Sequence, residues 1–403
     1  MLNNTDLEVS YERALSNSEA NVFWLIFSLI SLVGLLGNGM VILAVLRCST
    51  MRRSLMNILL MNMAIADFGN IAACIVDWCQ ILVFRAPLWT LPPYFCPASR
   101  YTGIAFLFAS LLTQVLVCIE RYIAMIHPLK VRRWCSYRTL HTCISLSWLT
   151  ALVFPLPYLL TYRKVRNLWA NGTASCVPVR PIPLAFKTGE CLIFYFAPLC
   201  LLSVLYARIS RALWYDNDYL SETIRRSGRS AAVARIQGRR RVVKMLVCCM
   251  AVYFVCYSPI QLIFLSEVLL DHNLSTSFSF VVGLNALCYS SSACNPILYT
   301  VFSERFRARF SEILLCKKPA PLSSGLTKKT KASQYTGSGY ELQRLKASRS
   351  DLLLEPKMRK RTDSAASQLS QSETAVKKSI AVEAAVVLAE FHGKFLVDGL
   401  VHF

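Results

Sequence analysis

Long apolar stretches alternate with short polar connections along most of the chain. A transmembrane helix needs about 20 consecutive, mostly apolar residues, and seven stretches meet that requirement. They cover residues 22–47, 55–82, 96–126, 141–162, 184–214, 242–270 and 277–301. The pattern predicts an all-α membrane protein, a seven-transmembrane helix bundle whose folded domain spans residues 22–301.

The periodicity changes directly after the seventh stretch, over residues 302–316. Four apolar residues recur there at helical spacing, namely Phe302, Phe306, Phe310 and Ile313. Three arginines fall on the opposite face, namely Arg305, Arg307 and Arg309. A helix with one apolar and one basic face lies on a membrane surface, so we expect a short amphipathic helix on the inner leaflet, palmitoylated at Cys316. Residues 317–403 are too polar to bury a core, which predicts a largely disordered cytoplasmic tail.

The basic residues of the short connections indicate the orientation of the chain. Lys and Arg cluster at 48–54, 127–138 and 224–244, and these three connections lie on one side of a bundle with seven spans. By the positive-inside rule that side is the cytosol, so residues 1–21 form an extracellular tail of a plasma-membrane protein. The predicted glycosylation sites all fall on the outer side, at Asn3, Asn171 and Asn273.

The composition excludes some classes of protein. Hydrophobic residues make up 55% of the chain and charged residues only 17%, which is unusual for a soluble domain. The net charge of +21 does not indicate nucleic-acid binding, because the basic residues cluster at helix ends and in the tail, where they face anionic lipid. Most of the 16 cysteines lie in apolar spans. Cys96 and Cys176 lie on the oxidising outer side, so we pair them.

Two other classes of membrane protein agree less well with the sequence. A transporter or channel would place charges along a path through several spans, whereas few charges here lie deep in the apolar stretches. A membrane enzyme would need a metal site or a nucleophile, and the five histidines show no ligand spacing. We therefore expect a protein that is not an enzyme.

Short motifs occur in each of the seven stretches. They are GNGMV at 37–41, NMAIAD at 62–67, ERY at 120–122, Trp148, Pro198 with Tyr206, VCYSP at 255–259 and NPILY at 295–299. In this order they resemble the motifs of the class A, rhodopsin-like G-protein-coupled receptors, and the resemblance covers residues 22–316. Residues 240–261, RRVVKMLVCCMAVYFVCYSPIQ, are similar to neuropeptide receptors. The resemblance implies a heterotrimeric G protein as partner, with arrestin and receptor kinases acting on the tail.

The resemblance also assigns a switch to the cytosolic side. Glu120 would pair with Arg121 at rest, and activation would release the arginine toward the G protein. The switch residues are Glu120, Arg121, Tyr122, Tyr206, Asn295, Pro296 and Tyr299. The alternative is an ion pair at the level of the lipid headgroups, which such residues form by snorkelling.

Asp67 is a second charge inside the membrane. The resemblance implies that it binds a sodium ion, the only cofactor expected, together with Ser110, Ser292 and Asn295. The alternative is a protonated Asp67 satisfied through waters by Asn38 and Asn295.

The ligand pocket should open on the outer side. Amine receptors of this family carry an aspartate where this chain has Gly103, and most members carry a tryptophan where it has Tyr257. The pocket candidates are Asp77, Arg100, Gly103, Leu107, Glu190, Tyr257, Gln261, Glu267 and Tyr289. The three acids could receive a basic residue of a peptide, or Asp77 could pair with Arg100. With a hairpin lid expected around Cys176, we favour a neuropeptide ligand. The alternatives are a lipid or other small molecule, and least of all a transporter function.

Overall fold

The computed structural model of the protein describes residues 15–127, 131–166, 174–214, 229–270 and 277–315. Several predicted features lie outside these residues. They are the glycosylation sites Asn3, Asn171 and Asn273, the palmitoylation site Cys316, and the tail from residue 317 onward. Glu267 belongs to a described helix, but its side chain is not among those described.

Seven long helices run through the described part of the chain, and we call them spans 1 to 7. They are Asn17–Arg47, Leu55–Phe84, Phe95–Ile126, Tyr137–Thr161, 184–214, Arg229–Leu270 and Phe278–Phe302. Spans 1 to 6 contain stretches long and apolar enough to cross a membrane. Span 7 is more polar because Asn285, Asn295 and three consecutive serines lie within it. Short helices at Ser49–Arg52 and Val131–Trp134 occupy the connections on the side that the basic residues predict to be cytosolic. We call this side cytosolic and the opposite side outer, following that prediction.

The ends of several helices follow from capping residues. Ser16 and Glu19 form a reciprocal capping box at the start of span 1, which satisfies backbone N–H groups that have no partner inside the helix. Ser136 and Ser277 accept a backbone N–H at the starts of spans 4 and 7 in the same way. Span 2 ends at Arg85, whose φ of 56° is left-handed and stops the helix.

Prolines and an extra backbone residue interrupt the regular helices. Span 4 consists of Tyr137–Val153 and Leu156–Thr161, separated at Pro155. Span 5 consists of Leu184–Cys191 and Ala197–Trp214, joined by a π-helical turn at Leu192–Phe196. Such turns are frequent at functional sites. Spans 6 and 7 continue through Pro259 and Pro296.

Span 6 begins earlier than the apolar pattern predicts. It starts at Arg229 rather than at residue 242, because the preceding residues are good helix formers although they are too polar to lie in lipid. The span therefore extends as a basic helix on the cytosolic side. There the guanidinium of Arg240 donates to the carbonyl oxygen of Leu213 at the end of span 5, at 2.6 and 3.0 Å.

The spans pack closely where small residues lie between them. A Cβ on Gly37 of span 1 would lie 2.8 Å from the Cβ of Pro296 in span 7, so glycine is needed for this approach. Asn62 of span 2 donates to Thr113 of span 3 at 2.8 Å, and Trp148 of span 4 donates to Asn62 at 3.0 Å. These motif residues thus tie spans 2, 3 and 4 together.

The outer connection after span 4 forms the expected hairpin. Strand β1, Tyr162–Arg166, pairs antiparallel with strand β2, Ala174–Pro178, with Lys164 opposite Cys176. A disulfide joins Cys176 to Cys96 at the start of span 3. The Trp89 backbone N–H donates to the carbonyl oxygen of Ala174 at 2.7 Å. The hairpin is therefore held against the start of span 3 and the connection between spans 2 and 3.

The surface helix after span 7 runs from Glu304 to Leu314. Phe306 and Phe310 are buried, in agreement with the predicted apolar face. The placement of Arg309 on the opposite face is wrong. This side chain is buried and forms an ion pair with Glu312 at 2.6 Å, so the helix packs on the bundle over a wider face than the apolar spacing indicates.

Candidate functional site

The Glu120–Arg121 pair lies at the cytosolic end of span 3. Arg121 donates to both carboxylate oxygens of Glu120, from Nε and from Nη2, each at 2.5 Å. The Glu120 side chain is 10% exposed and the Arg121 side chain is 20% exposed. Neighbouring residues on a helix do not face each other, so both side chains turn toward each other to form this two-point contact. The arginine is thereby engaged within its own helix.

None of the other predicted switch residues forms a hydrogen bond with this pair in the described part of the chain. The Tyr206 hydroxyl is buried beside the Cys118 thiol and has no hydrogen bond to a nitrogen or oxygen of the described residues. The Tyr299 hydroxyl lies 3.7 Å from the Met63 sulfur. Tyr122 packs edge-on against His127. Both buried hydroxyls therefore lack a nitrogen or oxygen partner among the described residues, and their role in a switch stays a prediction.

The cytosolic end of span 6 has its own contacts. Arg241 forms an ion pair with Glu304 at the start of the surface helix, and Arg240 bonds to span 5 as described above. The Arg241 and Glu304 side chains are 55% and 67% exposed. Water and salt therefore weaken this pair much more than the pair on span 3.

Asp67 lies in the middle of span 2 and is completely surrounded. Its carboxylate accepts hydrogen bonds from Ser110 at 2.7 Å and from Asn295 at 2.8 Å. Ser292 lies at the same place and accepts from Asn70 at 3.2 Å. A cavity of about 10 Å³ adjoins these side chains, enough for about one water or small ion. Asn38 bonds instead to the carbonyls of Gly34 and Ser292.

The donor atoms at Asp67 determine which ion would fit. A carboxylate and hydroxyl oxygens suit a hard cation, and the small cavity between them has room for one small ion. Among the described residues no group of three His, Cys, Asp or Glu could hold a metal ion. The four residues predicted to bind sodium lie together at Asp67. Their role in binding sodium stays a prediction.

A larger cavity of about 440 Å³ opens on the outer side. It is of a size that holds a ligand rather than single waters. Eight of the predicted pocket residues line it, namely Asp77, Arg100, Gly103, Leu107, Glu190, Tyr257, Gln261 and Tyr289. The ninth, Glu267, is the one whose side chain is not described. Contact of these residues with a ligand stays a prediction, but their grouping in one cavity agrees with it.

Asp77 and Arg100 form an ion pair in the wall of this cavity. The Arg100 Nη1 lies 3.5 Å from the Asp77 Oδ2, and Ser99 donates to the Asp77 Oδ1 at 2.7 Å. The Arg100 guanidinium also lies 5.9 Å from the ring centroid of Tyr162 in β1. Of the two readings left open by the sequence, the geometry favours the internal pair over a free Asp77.

A second charged group lies across the cavity. The Lys187 ammonium lies 3.2 Å from the Glu190 carboxylate and also bonds to the Tyr158 hydroxyl. Tyr158 donates to the same carboxylate at 2.5 Å. The three side chains therefore form one hydrogen-bonded group at the Glu190 carboxylate.

Aromatic rings form the floor of the cavity. Tyr257 stacks on Tyr253 with ring centroids 4.7 Å apart, and the Tyr253 hydroxyl donates to the Phe194 carbonyl at 3.3 Å. Tyr289 meets Trp78 edge-on at 6.2 Å. Span 6 is thus in direct contact with span 5, and span 7 with span 2, at the cavity.

Several lining residues were not predicted from the sequence. They are polar or aromatic residues facing the same space, including Tyr158, Tyr162, Lys187, Tyr253, Phe264 and Asn285. Lys187 and Glu190 lie three residues apart, and this spacing could have indicated their pairing. For the other residues the sequence carries no comparable signal, because their orientation depends on how the spans are rotated against one another.

Comparison with known proteins agrees with this geometry. Residues 37–299 match the model of the family described as 7 transmembrane receptor (rhodopsin family). The chain is 39% identical to neuropeptide receptor 15 of Caenorhabditis elegans, over 72% of this chain and 89% of that protein. It is 30% identical to the allatostatin-A receptor of Bombyx mori, over 78% and 84% of the two chains. It is 28% identical to the human galanin receptor type 3, over 72% and 78%.

Proposed function

The chain belongs to the rhodopsin family of seven-transmembrane receptors, and from that premise we propose that it is the receptor for an extracellular neuropeptide. The observation that carries the proposal is the similarity to receptors named for neuropeptides, allatostatin-A and galanin. As a member of this family the chain is a multi-pass membrane protein and a signalling receptor, not an enzyme.

The outer cavity supports a peptide rather than an amine as ligand. It combines aromatic surface with polar side chains, among them Gln261 and Asn285, which suit the amide groups of a peptide backbone. Gly103 offers no carboxylate to an ammonium group. The hairpin β1–β2 adds Tyr162 to the wall on the extracellular side.

On the opposite side, the receptor activates a heterotrimeric G protein. Agonist binding favours a state in which span 6 moves away from span 3 and Arg121 leaves Glu120. Tyr206 and Tyr299 then offer the arginine new partners. The receptor lies in the plasma membrane with its N-terminus outside, and arrestin and receptor kinases act on its cytoplasmic tail.

Asp67 modulates this equilibrium by binding sodium. A cation at Asp67 with Ser110, Ser292 and Asn295 stabilises the resting packing of spans 2, 3 and 7. Agonist affinity should therefore be lower in NaCl than in a chloride of a larger organic cation, and Asp67→Asn should remove this difference. Equal affinity in both salts for the unchanged receptor would refute the sodium site.

A G-protein activation screen tests the receptor assignment. The full chain in lipid nanodiscs is mixed with purified heterotrimeric G proteins, and nucleotide exchange is measured with synthetic neuropeptides that include galanin and allatostatin-A. Amines, nucleotides and fatty acids serve as controls. We expect a peptide to stimulate exchange by the receptor but not by Arg121→Gln. Stimulation by a fatty acid or a nucleotide alone would contradict a peptide ligand.

A further inference from the structure

The two ion pairs of the outer cavity differ in how completely they are satisfied. The Glu190 carboxylate accepts from both Lys187 and Tyr158, and the Lys187 ammonium lies 4.5 Å from the centre of the Tyr158 ring. The Lys187 ammonium and the Tyr158 hydroxyl are therefore hydrogen-bonded to each other and to the same carboxylate oxygen, Oε2. Asp77 and Arg100 are in a different situation.

Arg100 keeps most of its hydrogen-bonding capacity unused. A guanidinium carries five N–H donors, yet the 3.5 Å separation from Asp77 is longer than a usual N–H to oxygen bond of about 2.9 Å. The Arg100 Nε is buried without a hydrogen-bond partner among the described residues. Its side chain as a whole is 29% exposed, so this donor-rich group faces the cavity. The exposed part of the guanidinium can therefore donate to a ligand oxygen in the cavity.

Asp77 presents an acceptor at the same place. One carboxylate oxygen, Oδ1, is occupied by Ser99, whereas Oδ2 faces only the loosely held guanidinium. The cavity wall therefore places an incompletely used acceptor next to several incompletely used donors. A group that fits must offer both an oxygen and an N–H.

The charge of the pair decides between the candidate groups. Asp77 and Arg100 together are neutral. A ligand carboxylate would add a negative charge beside Asp77, and an ammonium would add a positive charge beside Arg100, each in a mostly buried place. A primary carboxamide is neutral, and it carries an acceptor oxygen and an N–H₂ donor on one carbon.

From this arrangement we propose that Asp77 and Arg100 form a subsite for a primary carboxamide, the amidated C-terminus of the peptide ligand. The carboxamide oxygen accepts from Arg100, and its N–H₂ donates to the Asp77 Oδ2. The inference rests on the proposed function. The C-terminus is the source we commit to, because a cavity of about 440 Å³ admits a chain end more readily than a chain that passes through.

The experiment uses the full receptor and the peptide that gives the strongest response in the exchange screen. That peptide is synthesised with its C-terminus as carboxamide, as free acid and as a methyl group in place of the carboxamide. Further forms carry an acetylated N-terminus or Leu in place of each Asn and Gln. We expect the methyl form to be roughly 10- to 100-fold less potent than the amide, as for loss of hydrogen bonds to charged groups. Acetylation should have little effect.

Receptor variants provide the matched controls. In Arg100→Gln the amide and methyl forms should become about equally potent. Lys187→Gln removes the same charge from the same cavity and should keep the preference for the amide. Asp77→Asn leaves Arg100 without its carboxylate, so this variant should prefer the free acid over the amide. In this variant the free acid should become more potent than the amide. A misfolded variant would not show such a gain.

The outcomes separate the two proposals. If no peptide stimulates exchange, the proposed function fails and the subsite fails with it. If a peptide acts but its amide and methyl forms are equally potent on the unchanged receptor, the subsite is wrong while the function stands. Loss of potency only on replacing an internal Asn or Gln would move the carboxamide to a side chain and overturn the C-terminal assignment.

Discussion

Two arginine–carboxylate pairs lie at opposite ends of span 3, and they are built differently. At the cytosolic end, Arg121 donates two hydrogen bonds of 2.5 Å to Glu120 on the same helix. At the outer end, Arg100 touches Asp77 of span 2 at one point, 3.5 Å away, with its Nε unused. The inner pair, Glu120 with Arg121, is hydrogen-bonded within itself. The outer pair, Asp77 with Arg100, keeps hydrogen-bonding groups that a ligand can use.

This difference indicates that the pairs at the two ends of span 3 have different roles. An open pair can accept a ligand without first breaking its own contact, which favours binding. A closed pair has to be broken before its arginine can act, which favours a switch with a barrier. We therefore expect changes at the outer pair to alter ligand potency and changes at the inner pair to alter signalling.

The largest expected effect is loss of the outer region's framework. Cys176→Ser removes the bond to Cys96 and releases the hairpin that places Tyr162 over Arg100. Loss of a native disulfide costs about 2–5 kcal/mol in small secreted domains, so we expect loss of agonist binding and most surface expression. Binding of labelled peptide to intact cells measures this.

Cys200→Ser is the matched control for the disulfide, because this exposed cysteine of span 5 is free. It should behave like the unchanged receptor. If Cys176→Ser kept both expression and affinity, the hairpin would not be needed to shape the outer pair.

A smaller effect should follow from opening the inner pair. In Glu120→Gln the amide still accepts one hydrogen bond but no longer attracts the Arg121 charge, so the resting state loses about 1 kcal/mol of stability. Agonist-free nucleotide exchange should rise about five-fold, and agonist affinity should rise by no more than the same factor, because the agonist binds the active state more tightly. Unchanged basal exchange would mean that the pair does not hold the resting state.

The smallest effect is expected at the exposed cytosolic pair of Arg241 and Glu304. Because both side chains are more than half exposed, the pair contributes little. Arg241→Gln should raise basal exchange less than about three-fold, and the increase should vanish at high salt. Arg305→Gln, an exposed arginine beside Glu304, is the control. A rise as large as that of Glu120→Gln would move the switch to span 6.

The sequence predicted the bundle because span length in a membrane is set by apolar residues alone. It also placed Glu120, Arg121, Asp67 and the hairpin, since each belongs to a motif or an alternating pattern. It could not decide whether Asp77 is free or bound to Arg100, because that depends on the packing of span 2 against span 3. Arg309 was misplaced for a similar reason, because its burial depends on how the surface helix packs on the bundle.

The most direct test compares agonist titrations of Arg100→Gln and Arg121→Gln in the nucleotide-exchange assay, with labelled-peptide binding measured in parallel. We predict that Arg100→Gln shifts the curve to higher agonist concentration by roughly 10- to 100-fold and reaches the full maximum. Arg121→Gln should bind the agonist with normal affinity but should give no agonist-stimulated nucleotide exchange. A full response from Arg121→Gln, or an unshifted curve from Arg100→Gln, would contradict the account.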